Sequence, residues 1–457
     1  MHFLYHPAFA AVLASPFTQW IRKPIIYVAS VVFVLGVLVF VHEFGHYAVA
    51  KLFKVRVEVF SLGFGKRIWG FRRGDTDYRL SVLPLGGYVK MAGENPMEQH
   101  TGDPGEFMSH PRWQRFLIAI AGPVMNIILA VVVLSAVYTI HHEFLAFLHS
   151  PVDVLWLQPG SPAEKAGLQR GDRIVQVQDV QNPNWEQFLT REVISAKDPI
   201  ELTVSRDGQL RKVSVTPEAK GPSRIGDIGL RPPAVVGTVE PGKPADQAGL
   251  KVGDTLLALD GKPVKALSDM IKILQDTKDK TMPLTVQRDG KEQTLSITPQ
   301  LMETPQSAGR TYRVGIGAMQ VERLPLRAAI PAAIDYCRDN SLLIFKLLGN
   351  LVHRPDDTLK QFSGPVGIMM ASGDAASEGF SSLMELMAII SLNLAIFNLF
   401  PIPILDGGLM LMLLIEGIMR RDISQPVKER VYQAAFVFLL LFAALVIYND
   451  VAKQFRM

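Results

Sequence analysis

Along the chain, long uncharged apolar runs flank a middle of mixed polarity. Four runs, Ile25–Val41, Phe116–Ile140, Leu386–Leu405 and Val431–Tyr448, are each about long enough to cross a hydrocarbon core of roughly 30 Å as a helix. Between the second and third, short alternating stretches broken by Gly, Asp and Pro predict strands and turns. Leu324–Val352 shows helical apolar spacing with several charges. That predicts an amphipathic helix on the outer membrane surface, joining the middle to the third run.

The middle repeats itself at a spacing of 82 residues. PGSPAEKAGLQRGD (Pro159–Asp172) matches PGKPADQAGLKVGD (Pro241–Asp254), LTVSRDG (Leu202–Gly208) matches LTVQRDG (Leu284–Gly290), and VSVTP (Val213–Pro217) matches LSITP (Leu295–Pro299). Three blocks in one register mark a tandem duplication. Each copy reads as a strand, a short helix at AGL, a GD turn into an alternating strand, a longer helix and a hairpin at RDG. The pattern resembles PDZ domains of the bacterial protease type, which implies capture of an extended peptide or its end at a sheet edge; the alternative is a pair of spacers or steric filters that bind no tail. The expected fold class is a polytopic α-helical membrane protein with four transmembrane helices and two inserted α+β PDZ-like domains.

The boundaries follow the polarity changes. Residues 1–51 hold the N-terminal segment and first transmembrane helix, 52–114 a β-rich cytoplasmic or membrane-associated loop, and 115–141 the second transmembrane helix. The two PDZ-like domains take 142–221 and 222–305, and an amphipathic helical linker takes 306–379. The third transmembrane region takes 380–418, and the fourth helix with the C-terminus takes 419–457.

Charge adds orientation. A net charge of +4, with no basic cluster interleaved with aromatics, excludes a nucleic-acid partner. Lys51, Lys54, Arg56, Lys66, Arg67, Arg72 and Arg73 follow the first run, and Arg420, Arg421, Lys428 and Arg430 lie between the last two. The positive-inside rule makes both loops cytoplasmic and the PDZ-like domains external, although Arg22 and Lys23 pull the other way. Arg22 and Lys23 before an apolar run also imitate a signal peptide, but cleavage near its end would part His42 from its supporting helix. The lone Cys337 has no disulfide partner and reads as packing.

The chemistry sits at the end of the first run, where His42, Glu43 and His46 spell HEFGH. Residues four apart share a helix face, so both imidazoles can reach one zinc ion, leaving Glu43 free as a base. Ionisable groups in an apolar span ask for a partner, here a metal. Catalytic zinc takes three protein ligands. The carboxylate that ends an apolar run among helix-disrupting residues is Asp406, within NLFPIPILDGG (Asn398–Gly408). Prolines and glycines there must break the helix, which a membrane tolerates only in a protein-lined or wet cavity. Zinc so held makes hydroxide available near neutral pH, with Glu43 taking the proton.

HEFGH, the duplicated middle and NLFPIPILDGG together resemble the site-2 protease family of intramembrane zinc metalloproteases, over nearly the whole chain. GGYVKM (Gly86–Met91), AGPVMN (Ala121–Asn126) and SGPVGI (Ser363–Ile368) extend the match. The resemblance implies zinc on His42, His46 and Asp406, with Glu43 as catalytic acid or base. It implies single-span membrane proteins as substrates, among them an anti-sigma factor trimmed by another protease, together with remnant signal peptides. It places the chain in a bacterial inner membrane, with periplasmic PDZ-like domains and the site near the cytoplasmic side.

A helical substrate must be unwound and held, and Arg79–Met91 reads as strand and turn. Gly63 and Gly65 of GFG, with Gly86, Gly87 and Val89, are candidates to offer a pairing edge. Asn393 and Asn398 are candidates to bond substrate backbone or an oxyanion, with interhelical contacts nearly as good a reading. Asn126 reads as packing. His2, His6, His100, His110, His141, His142, His149 and His353 read as surface or interface residues. The alternative function is a zinc-binding membrane scaffold or transporter whose PDZ-like domains recruit partners; against it, the chain repeats its soluble part and not its helices.

Overall fold

The structure is a computed structural model describing residues 16–94, 101–221, 224–304, 307–353 and 364–454. His2, His6, His100 and Ser363 lie outside the described residues. The chain divides into two compact units. One is formed from residues up to Ile140, Arg323–Gly349 and Phe362 onward, the other mainly from His141–Glu322.

In the first unit, the HEFGH run ends the long helix α1, Pro16–Leu52. Strands β1, Val57–Arg73, and β2, Thr76–Met91, follow. Helix α2, Arg112–Ile140, is uncharged over most of its length and packs against α1. After the second unit come α3, Leu326–His353, and α4, Pro365–Glu378. They are followed by α5, Phe380–Asn398, α6, Asp406–Met419, and α7, Gln425–Gln454. Among the described residues four helices are long and apolar enough to cross a membrane, at Pro24–Leu52, Arg112–Ile140, Phe380–Asn398 and Gln425–Tyr448.

Three packing relations place the site. Helix α2 also contacts α5 and α6, so it lies at the centre of this unit. The apolar stripe of α3, Ala329, Ala333, Cys337 and Ile344, is buried with Tyr138 of α2 and Leu392 of α5. That stripe of the helix is covered by other helices, while Leu326, Ile334, Leu342 and Phe345 of the same helix are exposed. The third relation is a turn: the run expected at Leu386–Leu405 stops at Asn398, and the prolines send the chain through a loop before α6 begins at Asp406. A Cβ on Gly407 would lie 2.3 Å from the carbonyl oxygens of Leu399 and Phe400, so the loop folds onto itself closer than a side chain permits. Ile404 carries a φ of +96°, a strained value for a β-branched residue directly beside the site.

Strands β1 and β2 are long and bent, and they pair twice. Ser61 has both Tyr88 and Arg79 as partners, and Leu62 both Gly87 and Leu80. The stretch 57–62 therefore lies between the two ends of β2, leaving 87–91 with β1 on one side only.

In the second unit the repeat becomes two α+β cores. The first copy buries Trp185, Phe188, Ile174, Leu202 and Val204, and the second Leu256, Leu259, Met270, Leu284 and Val286. Both carry an Arg–Asp lock joining the RDG hairpin to the GD turn. Arg206 bonds Asp172, holding that carboxyl below its usual range against its burial, and Arg288 bonds Asp254.

Candidate metal centre

Helix periodicity brings His42 and His46 to one face of α1, both nearly enclosed, each 8% exposed. Each is oriented by α2. His46 Nδ1 is 2.8 Å from the Ile118 carbonyl oxygen, so this nitrogen carries the proton and Nε2 keeps its lone pair. His42 Nδ1 lies 3.2 Å from the amide of the fully buried Asn126, whose Oδ1 has no hydrogen-bond partner. A half-turn of this amide places Oδ1 as acceptor for His42 Nδ1–H, satisfying the orphaned oxygen and freeing His42 Nε2 as a donor atom.

The free atoms converge. His42 Nε2 and His46 Nε2 are 3.2 Å apart, and Asp406 Oδ2 and Oδ1 lie 3.1 and 3.5 Å from them respectively. A tetrahedral ion with bonds of about 2.0–2.1 Å has ligand–ligand edges of roughly 3.3 Å. Two imidazoles and a carboxylate with those spacings fit zinc, and the supporting contacts from Ile118 and Asn126 are the kind that fix ligand orientation.

Gly122 makes room for this arrangement. A Cβ there would lie 2.3 Å from His46 Nε2 and 2.8 Å from His42 Cε1. Neither Gly122 nor Asn126 stood out as a site residue in the sequence. Both lie in AGPVMN, and a glycine and an asparagine one helical turn apart in an apolar run were the available signal.

Glu43 points away from the triad's helix neighbours towards the sheet, and its Oε2 accepts a hydrogen bond from Val89 N–H at 3.0 Å. A cavity of about 450 Å³ opens there, lined by the triad, Glu43, Asn398 and Gly86–Val89. Asn398 Nδ2 is 3.4 Å from His42 Nε2. Asn393 is half-buried and absent from the lining, because five residues on a helix turn the side chain by roughly 140°. Gly63 and Gly65 are absent too. Gly63 instead lets β1 approach β2, its missing Cβ lying 2.6 Å from the Leu83 carbonyl oxygen, while the intervening Phe64 lines the cavity and stacks on Tyr88.

Four of the other histidines have local engagements. His110 bonds Gln114, His141 bonds Glu143, and His142 and His149 stack on Phe144.

Comparison with known proteins matches residues 30–442 to peptidase family M50. The regulator of sigma-E protease RseP of Escherichia coli is 31% identical over 460 residues, covering 93% of this chain and 98% of that protein. RseP of Salmonella typhimurium strain 14028s is 30% identical with the same coverage. A Neisseria meningitidis protein, named as a candidate zinc metalloprotease, is 32% identical over 444 residues, 92% of this chain and 98% of its own. Among solved structures, the PDZ domain of an SdrC-like protein from Listeria innocua aligns with 19% of this chain and 91% of its own, at 22% identity and a TM-score of 0.17. The relatives remove the scaffold or transporter alternative, and the apolar helices agree with a bacterial inner-membrane protein. The chain belongs to peptidase family M50 and is a zinc metalloprotease of the site-2 type.

Proposed function

We propose that this enzyme is an intramembrane endoprotease that cuts single-span membrane proteins within their membrane-crossing segment. The observation that carries the reading is the donor triangle His42–His46–Asp406, set with Glu43 in a cavity bordered by an open strand edge. Zinc, when bound by these three residues, polarises the scissile carbonyl and acidifies water. Glu43 accepts the proton of the attacking water on a carboxylate oxygen and delivers it to the leaving amine. Val89 N–H holds Glu43 Oε2, fixing the carboxylate against the sheet. Asn398 is placed to donate to the carbonyl oxygen as it gains charge.

The substrate's own helix hides its carbonyls, so it must be extended first. The outer edge at Gly87–Met91 suits that task. Its N–H groups at Val89 and Met91 are held by the carboxylates of Glu43 and Glu94, with no neighbouring strand among the described residues. A substrate strand added there places its backbone beside Glu43.

The two soluble copies are PDZ-like domains on the periplasmic side, with the centre near the cytoplasmic face. The second offers a groove of about 200 Å³ between its long helix and Tyr312–Ala318, lined by Met270, Ile271 and Leu274. It suits an apolar peptide end. At the position of Leu274, 82 residues earlier, the first copy has Glu192, which instead accepts from Ile228 N–H. Relatives named as regulators of sigma-E support an anti-sigma factor as substrate, and the family resemblance adds remnant signal peptides. The test is a panel of single-span reporters in membranes, compared between wild type and Glu43→Gln by mass spectrometry of the products. A cut inside the span that disappears in the variant supports the reading; identical products from both enzymes sink it.

A further inference from the structure

Next to the catalytic cavity lies a second chamber of about 430 Å³, sharing Met91, Glu94, Leu405 and Asp406 with it. The catalytic reaction does not use it, yet it is lined with charge. Lys428 is 2.7 Å from Glu416, which also accepts from Ile423 N–H. Lys90 pairs with Glu58, and Glu94 accepts from Met91 N–H. Arg115, in the first turn of α2, is different. It is 6% exposed, lines the chamber and, among the described residues, donates only to the Met108 sulfur at 3.2 Å and has no hydrogen-bond partner at Nε. The nearby acids Glu416 and Asp422 favour the charge of Arg115 from a distance but form their ion pairs with Lys428 and Arg112. A buried guanidinium with a thioether as its one acceptor is costly unless an anion completes it.

Peptide hydrolysis creates such an anion. Breaking the C–N bond puts the water oxygen on the carbonyl carbon, so the N-terminal fragment leaves with a carboxylate and the C-terminal fragment with an amine. We propose that Arg115 binds the newly formed C-terminal carboxylate of the N-terminal product as it passes from the centre into the charged chamber. The chamber lies at the end of α2 near the turn between α6 and α7, which carries Arg420 and Arg421, and near Arg430 of α7, the end assigned to the cytoplasm. For a substrate whose N-terminus is cytoplasmic, this is the route of the N-terminal fragment, and the inference rests on the protease reading for the origin of that carboxylate.

The test measures binding, so it can fail or succeed independently of cleavage. A fluorescein-labelled leucine–alanine decapeptide with a free C-terminal carboxylate, and its amide, are titrated into the full chain in detergent with chelator present, which removes any preference due to the metal. Charge-assisted hydrogen bonds predict that the acid binds at least roughly tenfold more tightly than the amide. Arg115→Gln should abolish that ratio with amide affinity unchanged, and Arg115→Lys should retain a preference for the acid. Equal affinities in wild type, or a preference undiminished in Arg115→Gln, would overturn the proposal. So would loss of the preference on adding phosphatidylglycerol, which would assign Arg115 to a lipid phosphate. Should Arg115→Gln weaken amide binding as well, Arg115→Lys decides: a retained preference supports the site and its loss refutes it.

Discussion

Replacing Gly122 with alanine separates the stability of α2 from the geometry of the metal site. In a helix interior alanine is favoured over glycine by up to about 1 kcal/mol, so propensity alone predicts a sturdier protein. Geometry predicts a poorer enzyme. The new Cβ would stand 2.3 Å from His46 Nε2, 2.6 Å from His46 Cε1 and 2.8 Å from His42 Cε1. Ordinary contact begins at 3.4 Å, so His46 must move by about 1 Å, although its Nδ1 is tied to Ile118 on the same helix. Metal sites tolerate displacements of about 0.2 Å, and a 1 Å misplacement of a reacting group costs on the order of a hundredfold in rate. Gly122→Ala should therefore retain helicity, bind zinc at least roughly tenfold more weakly in competition with a chelator, and cleave a reporter about a hundredfold more slowly. Gly36→Ala is the control, because a Cβ there meets nothing within 4 Å. Wild-type zinc affinity and rate in a folded Gly122→Ala protein would refute the claim that this glycine makes room for the ligands.

Asn126→Ala removes the partner of His42 Nδ1 while keeping the backbone carbonyl that receives Ser391 Oγ–H, and should lower zinc affinity by about 10–100-fold. Unchanged affinity would mean that Asn126 merely packs. Val89→Pro deletes the N–H that holds Glu43 and disrupts the strand edge; cleavage should fall at least roughly tenfold with zinc content unchanged, and full activity would dismiss the edge as a substrate platform. In the second unit, burial pushes the Glu192 carboxyl up to about 7, against the lowering effect of Ile228 N–H. The folded form thus keeps a proton that the unfolded form releases near 4.5. Stability from this group is complete below that pH and falls as the pH rises through about 7. Glu192→Gln should be close to neutral at pH 4 and stabilise the unit by up to about 3 kcal/mol at pH 8, read as hydrogen-exchange protection over 141–322 of the full chain. A gain that does not depend on pH would reject the burial explanation.

Local periodicity made part of this site legible. The four-residue spacing of His42 and His46 needs only a helix to become a pair of ligands, and the prolines and glycines around Asp406 announce a broken helix carrying an acid. The duplication was visible because its turn residues recur in register. What escaped depends on contacts between elements distant in sequence. Asn126 is 84 residues from His42 and looks like any polar residue in an apolar run, so its role appears only when α2 packs on α1. Gly122 is informative only once two imidazoles lie against it. Asn393 and Asn398 seemed equivalent in the sequence, but the helix turns them apart and puts only Asn398 in the cavity lining. The double pairing of β1 and β2 was likewise hidden, since alternation within a strand does not reveal which edge stays open.

The most direct test of the account is reversible metal dependence of a cut inside a membrane span. The purified enzyme would be stripped with a chelator, assayed on a single-span reporter in proteoliposomes, and then titrated with zinc. In-span cleavage should vanish on stripping and return at about one zinc per chain in wild type, and stay absent in Asp406→Asn at the same zinc concentration. Cleavage that persists after complete removal of the metal, or that Asp406→Asn recovers in full, would contradict a centre built on His42, His46 and Asp406.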